Sequence, residues 1–239
     1  MRKLTILLGL LTLGTIAISW QEAKPAAAAK NTDAAIVAAQ KPSYPLDTCV
    51  ISGKKLGSKG DPIDVVHEGR LVRFCCKSCP KAFEKAPEKA FKKIDAAVIA
   101  QQTPTYPFET CLVSKEPLDA MGKPLDHVDG TRLVRFCCKS CVKKYKKDPA
   151  KFLAQIDAAL IEKQLASYPL ETCLVSGEAL GSMGDPINQL HGTRLVRFCC
   201  KSCPKTFKKN PAKYLAKLDA SQKDAQKKKT AKKKTAKNG

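Results

Sequence analysis

The chain has 239 residues, a formal net charge of +21 and twelve cysteines. Its apolar content of 44% argues against a wholly disordered chain, and no stretch after the first twenty residues is apolar enough to span a membrane. Charge and cysteine are both unevenly distributed, so each becomes interpretable only once the chain is divided.

Met1-Arg2-Lys3 opens the chain and an apolar run follows from Leu4 to Ile18. A positive start and a short apolar run are the features of a secretory signal. Ala17-Ile18-Ser19 supplies small residues where a signal peptidase reads, so residues 1–19 are expected to be removed and the protein exported, to a periplasm or to the medium. The run lies near the lower limit for spanning a bilayer, and an uncleaved anchor is the alternative. Residues 20–43 read as a linker with a short helix from Asp33 to Gln40.

From Tyr44 onward the chain repeats. Tyr44-Pro45-Leu46-Asp47-Thr48-Cys49 returns at Tyr106 and again at Tyr168, a step of 62 residues that Asp33, Asp95, Asp157 and Asp219 also keep. Arg-Leu-Val-Arg-Phe-Cys-Cys-Lys-Ser-Cys is identical at 70–79, 132–141 and 194–203. Three modules result, at 44–101, 106–164 and 168–220. In the first, Thr48–Ser52 reads as a short β-type run. Ile63–His67 and Arg70–Phe74 read as hairpin strands around Glu68-Gly69. Leu71-Val72-Arg73-Phe74 suggests one buried and one wet face. Pro80–Lys85 follows as a short helix. A longer helix then starts most clearly in the second copy, where Asp148 is a good N-cap and Pro149 a good first residue. Phe152, Leu153, Ile156 and Leu160 continue it at helical spacing. The expected fold is small α+β: three ββα-type beads joined by helical linkers such as that ending in Thr103-Pro104-Thr105. Residues 221–239 hold many lysines and no apolar residue larger than Ala, so they are expected to be disordered. Such a tail attracts acidic polymer or an anionic membrane surface without selectivity; nothing in it specifies a protein partner.

Units of this size rarely hold together on apolar burial alone and generally need disulfides or a metal. Each module carries four cysteines: Cys49, Cys75, Cys76 and Cys79; Cys111, Cys137, Cys138 and Cys141; Cys173, Cys199, Cys200 and Cys203. One lies in the first short run and three lie where the hairpin passes into a helix. Converging thiolates suit a thiophilic ion, zinc first and Cu(I) as the alternative. Two other readings stand beside this one. An exported chain could pair the same cysteines as disulfides and act as a stapled interaction module. Cys76-Lys77-Ser78-Cys79 could instead serve thiol–disulfide exchange, but the βαβ surroundings of such enzymes are missing. No catalytic triad or phosphate loop is present, so no enzyme is expected. His67 and His191 occupy equivalent positions, but the second copy has Asp129 there, so the histidines read as surface hairpin residues rather than ligands.

Cys-x-x-Ser-Gly, a hairpin and Phe-Cys-x-x-x-Cys-x-x-x-Phe together resemble the TRASH/YHS group of metal-binding modules, related in fold to a zinc-binding ribosomal protein. The resemblance runs from about Tyr44 to Phe91 and through the corresponding stretches. It implies a treble-clef-like zinc ribbon and a role in metal sensing, trafficking or resistance, with ligands at Cys49, Cys75, Cys79 and their counterparts. This chain departs from that pattern twice. Ser52, Ser114 and Ser176 stand where four-cysteine relatives have a ligand, and Cys76, Cys138 and Cys200 are additional. The additional cysteines are expected to take the fourth coordination position or to stand directly beside it.

Overall fold

A computed structural model describes residues 32–235. The expected signal segment and the first part of the linker lie outside the described residues. Among those residues no helix is long and apolar enough to cross a membrane.

The chain begins with α1 (Asp33–Gln40), capped by the Thr32 hydroxyl and followed by a short 3-10 turn, Lys41–Ser43. The first module then supplies β1 (Ile63–His67), β2 (Arg70–Phe74), α2 (Cys79–Glu84) and α3 (Pro87–Gln102). The second supplies β3 (Leu125–Asp129), β4 (Arg132–Phe136), α4 (Lys139–Tyr145) and α5 (Pro149–Leu165). The third supplies β5 (Ile187–His191), β6 (Arg194–Phe198), α6 (Cys203–Lys209) and α7 (Pro211–Thr235). Each strand pair is a separate antiparallel hairpin in the same register, with Val65 opposite Val72, His127 opposite Val134 and Gln189 opposite Val196. The first hairpin closes through Glu68 and Gly69, both at positive φ, the requirement of a type I′ turn. The other two place Gly130 and Gly192 first and Thr second, and there only the glycine has positive φ, which fits type II′. Different residues thus satisfy one two-residue connection.

The first half of each module is less regular than expected. Thr48–Ser52 is not a strand: Thr48 makes a single bridge to Lys55, and the chain turns at once, with the Gly53 N–H donating to the Cys49 carbonyl at 2.8 Å. The turn needs a left-handed residue, and Gly53 and Gly177 provide it at φ 71° and 80°. The second module has Lys115 there, at φ 67°. A side chain in that region costs about 1 kcal/mol relative to glycine. Lys115→Gly is therefore expected to stabilise the protein by about 1 kcal/mol, read as a raised denaturation midpoint at unchanged m-value. A neutral or lowered midpoint would mean that the Lys115 side chain contributes something the backbone cost conceals.

The outer face of each hairpin is largely covered rather than wet. Val72 and Phe74 point into their own module, against Phe83 and Ile94. Leu71, on the opposite face, is only 1% exposed because α1 lies across it. The same arrangement recurs down the chain, with α3 lying on the outer face of β3–β4 and α5 on that of β5–β6. Leu133 of the second module accordingly belongs to the first module's core, packed with Val98 and Ile94. The modules are therefore not beads on linkers, since each long helix completes the next hairpin.

A glutamine at the end of each covering helix fixes this docking. Gln102 Nε2 donates to the Thr131 carbonyl at 2.8 Å, and its Oε1 accepts from the Leu133 N–H at 2.9 Å. Gln40 and Gln164 make the same pair of bonds to the first and third hairpins. Arg70, Arg132 and Arg194 hold each hairpin to its own long helix through Asp95, Asp157 and Asp219. Tyr44, Tyr106 and Tyr168 accept from the backbone N–H of Arg73, Arg135 and Arg197 at 3.2–3.3 Å. Three of the repeated aspartates, Asp95, Asp157 and Asp219, and the three repeated tyrosines thus have structural work. The turns also meet one another. Ser43 bonds Thr131 side chain to side chain at 2.6 Å, and a Cβ on Gly192 would lie 2.8 Å from the Pro42 carbonyl oxygen.

In α7, Gln222 and Lys223 replace the apolar pair Val98-Ile99 of α3 and Leu160-Ile161 of α5. A polar final face ends the array, as terminal repeats require. Beyond Ser221, where the lysine content argues for disorder, α7 runs on to Thr235. Its start is anchored by the fully buried Leu218, so no new nucleation is needed, and Ala, Lys and Gln are good helix formers.

Candidate metal centres

Each module builds its centre from the same three supports. The tight turn after Thr48 presents Cys49, the end of β2 presents Cys75, and the first residue of α2 is Cys79. The three thiols are buried, and the ligand atoms lie within 4.8 Å of one another. Cys111, Cys137 and Cys141, and Cys173, Cys199 and Cys203, form identical groups. Where individual sulfur separations within a triad are resolved as contacts they are 3.8 Å for Cys137–Cys141 and 3.9 Å for Cys199–Cys203. All twelve cysteines are free thiols. Val50, Val72, Phe74 and Phe83 pack around the first triad, so its sulfurs sit in an apolar surround.

The additional cysteines stand beside the triads rather than within them. Cys76 is half-buried, and its Sγ lies 3.4 Å from Cys79 Sγ and 3.3 Å from Ser78 Oγ. Cys138 and Cys200 repeat this at 3.6 and 3.5 Å from Cys141 and Cys203. The serines at the position of the missing ligand also face the site: Ser52, Ser114 and Ser176 hydroxyls lie 3.2–3.3 Å from Cys75, Cys137 and Cys199.

The metal-free centre is electrostatically divided. Burial pushes the Cys49 thiol up, but the Ser52 hydroxyl and the backbone N–H groups of Ser52, Cys75 and Ile51 outweigh it and hold the thiol at about 6. Cys173 is held at about 6 and Cys111 at about 7 by equivalent donors. Burial drives Cys79 the other way, to about 12, helped by the neighbouring thiols of Cys76 and Cys49; Cys141 and Cys203 behave alike. One thiolate is thus stabilised and another refused. A cation among the three sulfurs removes that conflict, because it replaces mutual repulsion by shared attraction.

Among the described residues no histidine joins these groups. Nor are the histidines simply on the surface. His67 stacks edge-on to Phe83 at 5.2 Å and His191 to Phe207 at 5.1 Å. In the second module Asp129 replaces the histidine and Tyr145 replaces the phenylalanine, joined by a 2.6 Å hydrogen bond. The paired exchange explains why a repeated histidine was not needed.

No family model, characterised protein or solved structure matches the chain. Its functional reading therefore rests on the three cysteine triads, which are close enough to bind a metal ion.

Proposed function

We propose that this is an exported metal-binding protein whose three modules each hold one zinc ion. The observation that carries the reading is the buried cysteine triad formed identically in every module. Tetrahedral zinc with Zn–S bonds of about 2.3 Å places its sulfurs about 3.8 Å apart, close to the Cys137–Cys141 pair at 3.8 Å and the Cys199–Cys203 pair at 3.9 Å, with each whole triad inside 4.8 Å. Cys49, Cys75 and Cys79 supply three ligands, and Cys76, in contact with Cys79, supplies the fourth through a change of rotamer. When bound, the ion supplies cross-linking and charge compensation. The resemblance to the TRASH/YHS modules and to a treble-clef-like zinc ribbon supports a part in metal trafficking or resistance rather than catalysis. The leader-like N-terminus supports export.

Cu(I) is the second reading. It is favoured by the fact that the mutually close set stops at three thiols, a number that suits Cu(I) better than zinc. Native mass spectrometry of the full chain distinguishes the two by mass and by number, with up to three ions expected. Replacing Cys76, Cys138 and Cys200 together by serine should weaken zinc binding about a hundredfold while leaving Cu(I) binding within a few-fold of wild type. Unchanged zinc affinity and stoichiometry in that variant would refute the fourth-ligand assignment.

A further inference from the structure

We infer that Cys76 and Cys79, and likewise Cys138–Cys141 and Cys200–Cys203, form a dithiol site that takes a small disulfide as substrate and is oxidised by it. Within each cluster the four sulfurs differ in access. Cys49, Cys75 and Cys79 are buried, and Cys76 is the sulfur that solvent reaches. An incoming disulfide therefore meets Cys76 first. Cys79 waits 3.4 Å behind it, with 3.6 and 3.5 Å in the other modules. The backbone is already turned for closure, since the Cys79 N–H donates to the Cys76 carbonyl at 3.2 Å, and the Cys203 N–H to that of Cys200 at 3.3 Å. A turn of this kind brings the two Cα atoms within about 7 Å, the range a disulfide spans.

The chemistry balances without a further reactant. Cys76 thiolate attacks one sulfur of RS–SR, an S–S bond breaks, and RS⁻ leaves. Cys79 then gives its proton to water as its sulfur attacks Cys76 in the mixed disulfide, forming the Cys76–Cys79 bond and expelling the second RS⁻. Both leaving thiolates take protons from water. Two protein thiols are oxidised and the substrate disulfide is reduced to two thiols. The product keeps Cys49 and Cys75 but has removed Cys79 from the triad. That consequence rests on the metal-binding reading: the ion loses two of its four thiolates in one event and is released.

The test treats the metal-loaded full chain with glutathione disulfide. Released metal is followed with a chromogenic chelator, and disulfides are mapped by peptide mass spectrometry. Bonds 76–79, 138–141 and 200–203 should form, with one ion released per bond. In C76S no bond should form within the first module, while bonds 138–141 and 200–203 still form in the second and third, which serve as unaltered controls within the same molecule. Bonds mapped to Cys49 or Cys75, or a first module that C76S leaves as readily oxidised as the other two, would overturn the inference. If C76S leaves the first module without metal from the outset, the mapping decides alone: bonds at 138–141 and 200–203 support the inference, and their absence overturns it. If the chain takes up no metal when metal is supplied and the three bonds still form, the metal-binding proposal falls and the dithiol site stands.

Discussion

Chelating the metal is expected to abolish the cooperative thermal transition of this protein, not merely to shift it. Binding free energies of structural zinc in small modules are about 10–16 kcal/mol, while whole domains are stable by about 5–15 kcal/mol. Each triad ties the turn at Cys49, the end of a strand and the start of a helix. Without the ion, the buried sulfurs become a cluster of polar groups in an apolar surround. Circular dichroism melts with and without a strong chelator, followed by restoration with added zinc, measure the effect. Identical melts would end the metal reading. Unfolding on reduction alone would point instead to disulfide staples.

Acidity should act through the same sulfurs, in a calculable direction. Cys79, Cys141 and Cys203 hold their protons up to about pH 12 in the metal-free centre, and each must release one on binding. Affinity per site should therefore fall at least tenfold for each unit of pH lost near neutrality, and more steeply in the third module, where Cys199 also holds its proton more tightly than a free thiol. Below about pH 6 in the first and third modules, and about 7 in the second, the thiols of Cys49, Cys173 and Cys111 also take up protons, and the slope should steepen.

Much of a single module was legible from residues because the relevant signals are local. The hairpin bounds at Ile63–His67 and Arg70–Phe74, the Asp148 cap and the α1 limits all follow from turn residues, capping chemistry and period, which do not depend on distant partners. The candidate ligands were legible because cysteines repeat at fixed spacing. Contacts between modules were not. Leu71-Val72-Arg73-Phe74 reads as a strand with one buried and one wet face, and only a helix from outside the module explains the burial of Leu71 on the face opposite Val72 and Phe74. Gln40, Gln102 and Gln164 keep the repeat step, so they could have been found, but a glutamine ending a helix carries no signal for a two-point backbone clasp. Cys76 lay between the two expectations for it because rotamer and access, not spacing, decide which sulfurs share an ion.

The second large effect concerns the joints. Leu133→Ala should destabilise the protein by about 3 kcal/mol and should do so in two modules at once. The side chain is 1% exposed, and although β4 belongs to the second module, it packs with Val98 and Ile94 of the first. Truncation leaves a cavity between α3 and the β3–β4 hairpin where neither wall can close without moving a clasp. Gln102 would be strained next, and it cannot let go freely: the Leu133 N–H and Thr131 carbonyl it serves are buried with it. Gln102→Leu should accordingly cost about 2 kcal/mol, the expense of leaving buried backbone groups unpaired. Independent beads would behave differently, with the loss confined to the second module and two separate transitions. An array in which each helix completes the next hairpin couples neighbouring units. Native-state hydrogen exchange on metal-loaded protein separates the two cases. Protection of amides in both α3 and β4 should fall by a similar factor in Leu133→Ala, while Leu195→Ala, the equivalent change at the next joint, should leave β2 protected and expose α5 and β6. If Leu133→Ala lowers protection in the second module alone, the modules are independent after all and the shared helix is only a tether.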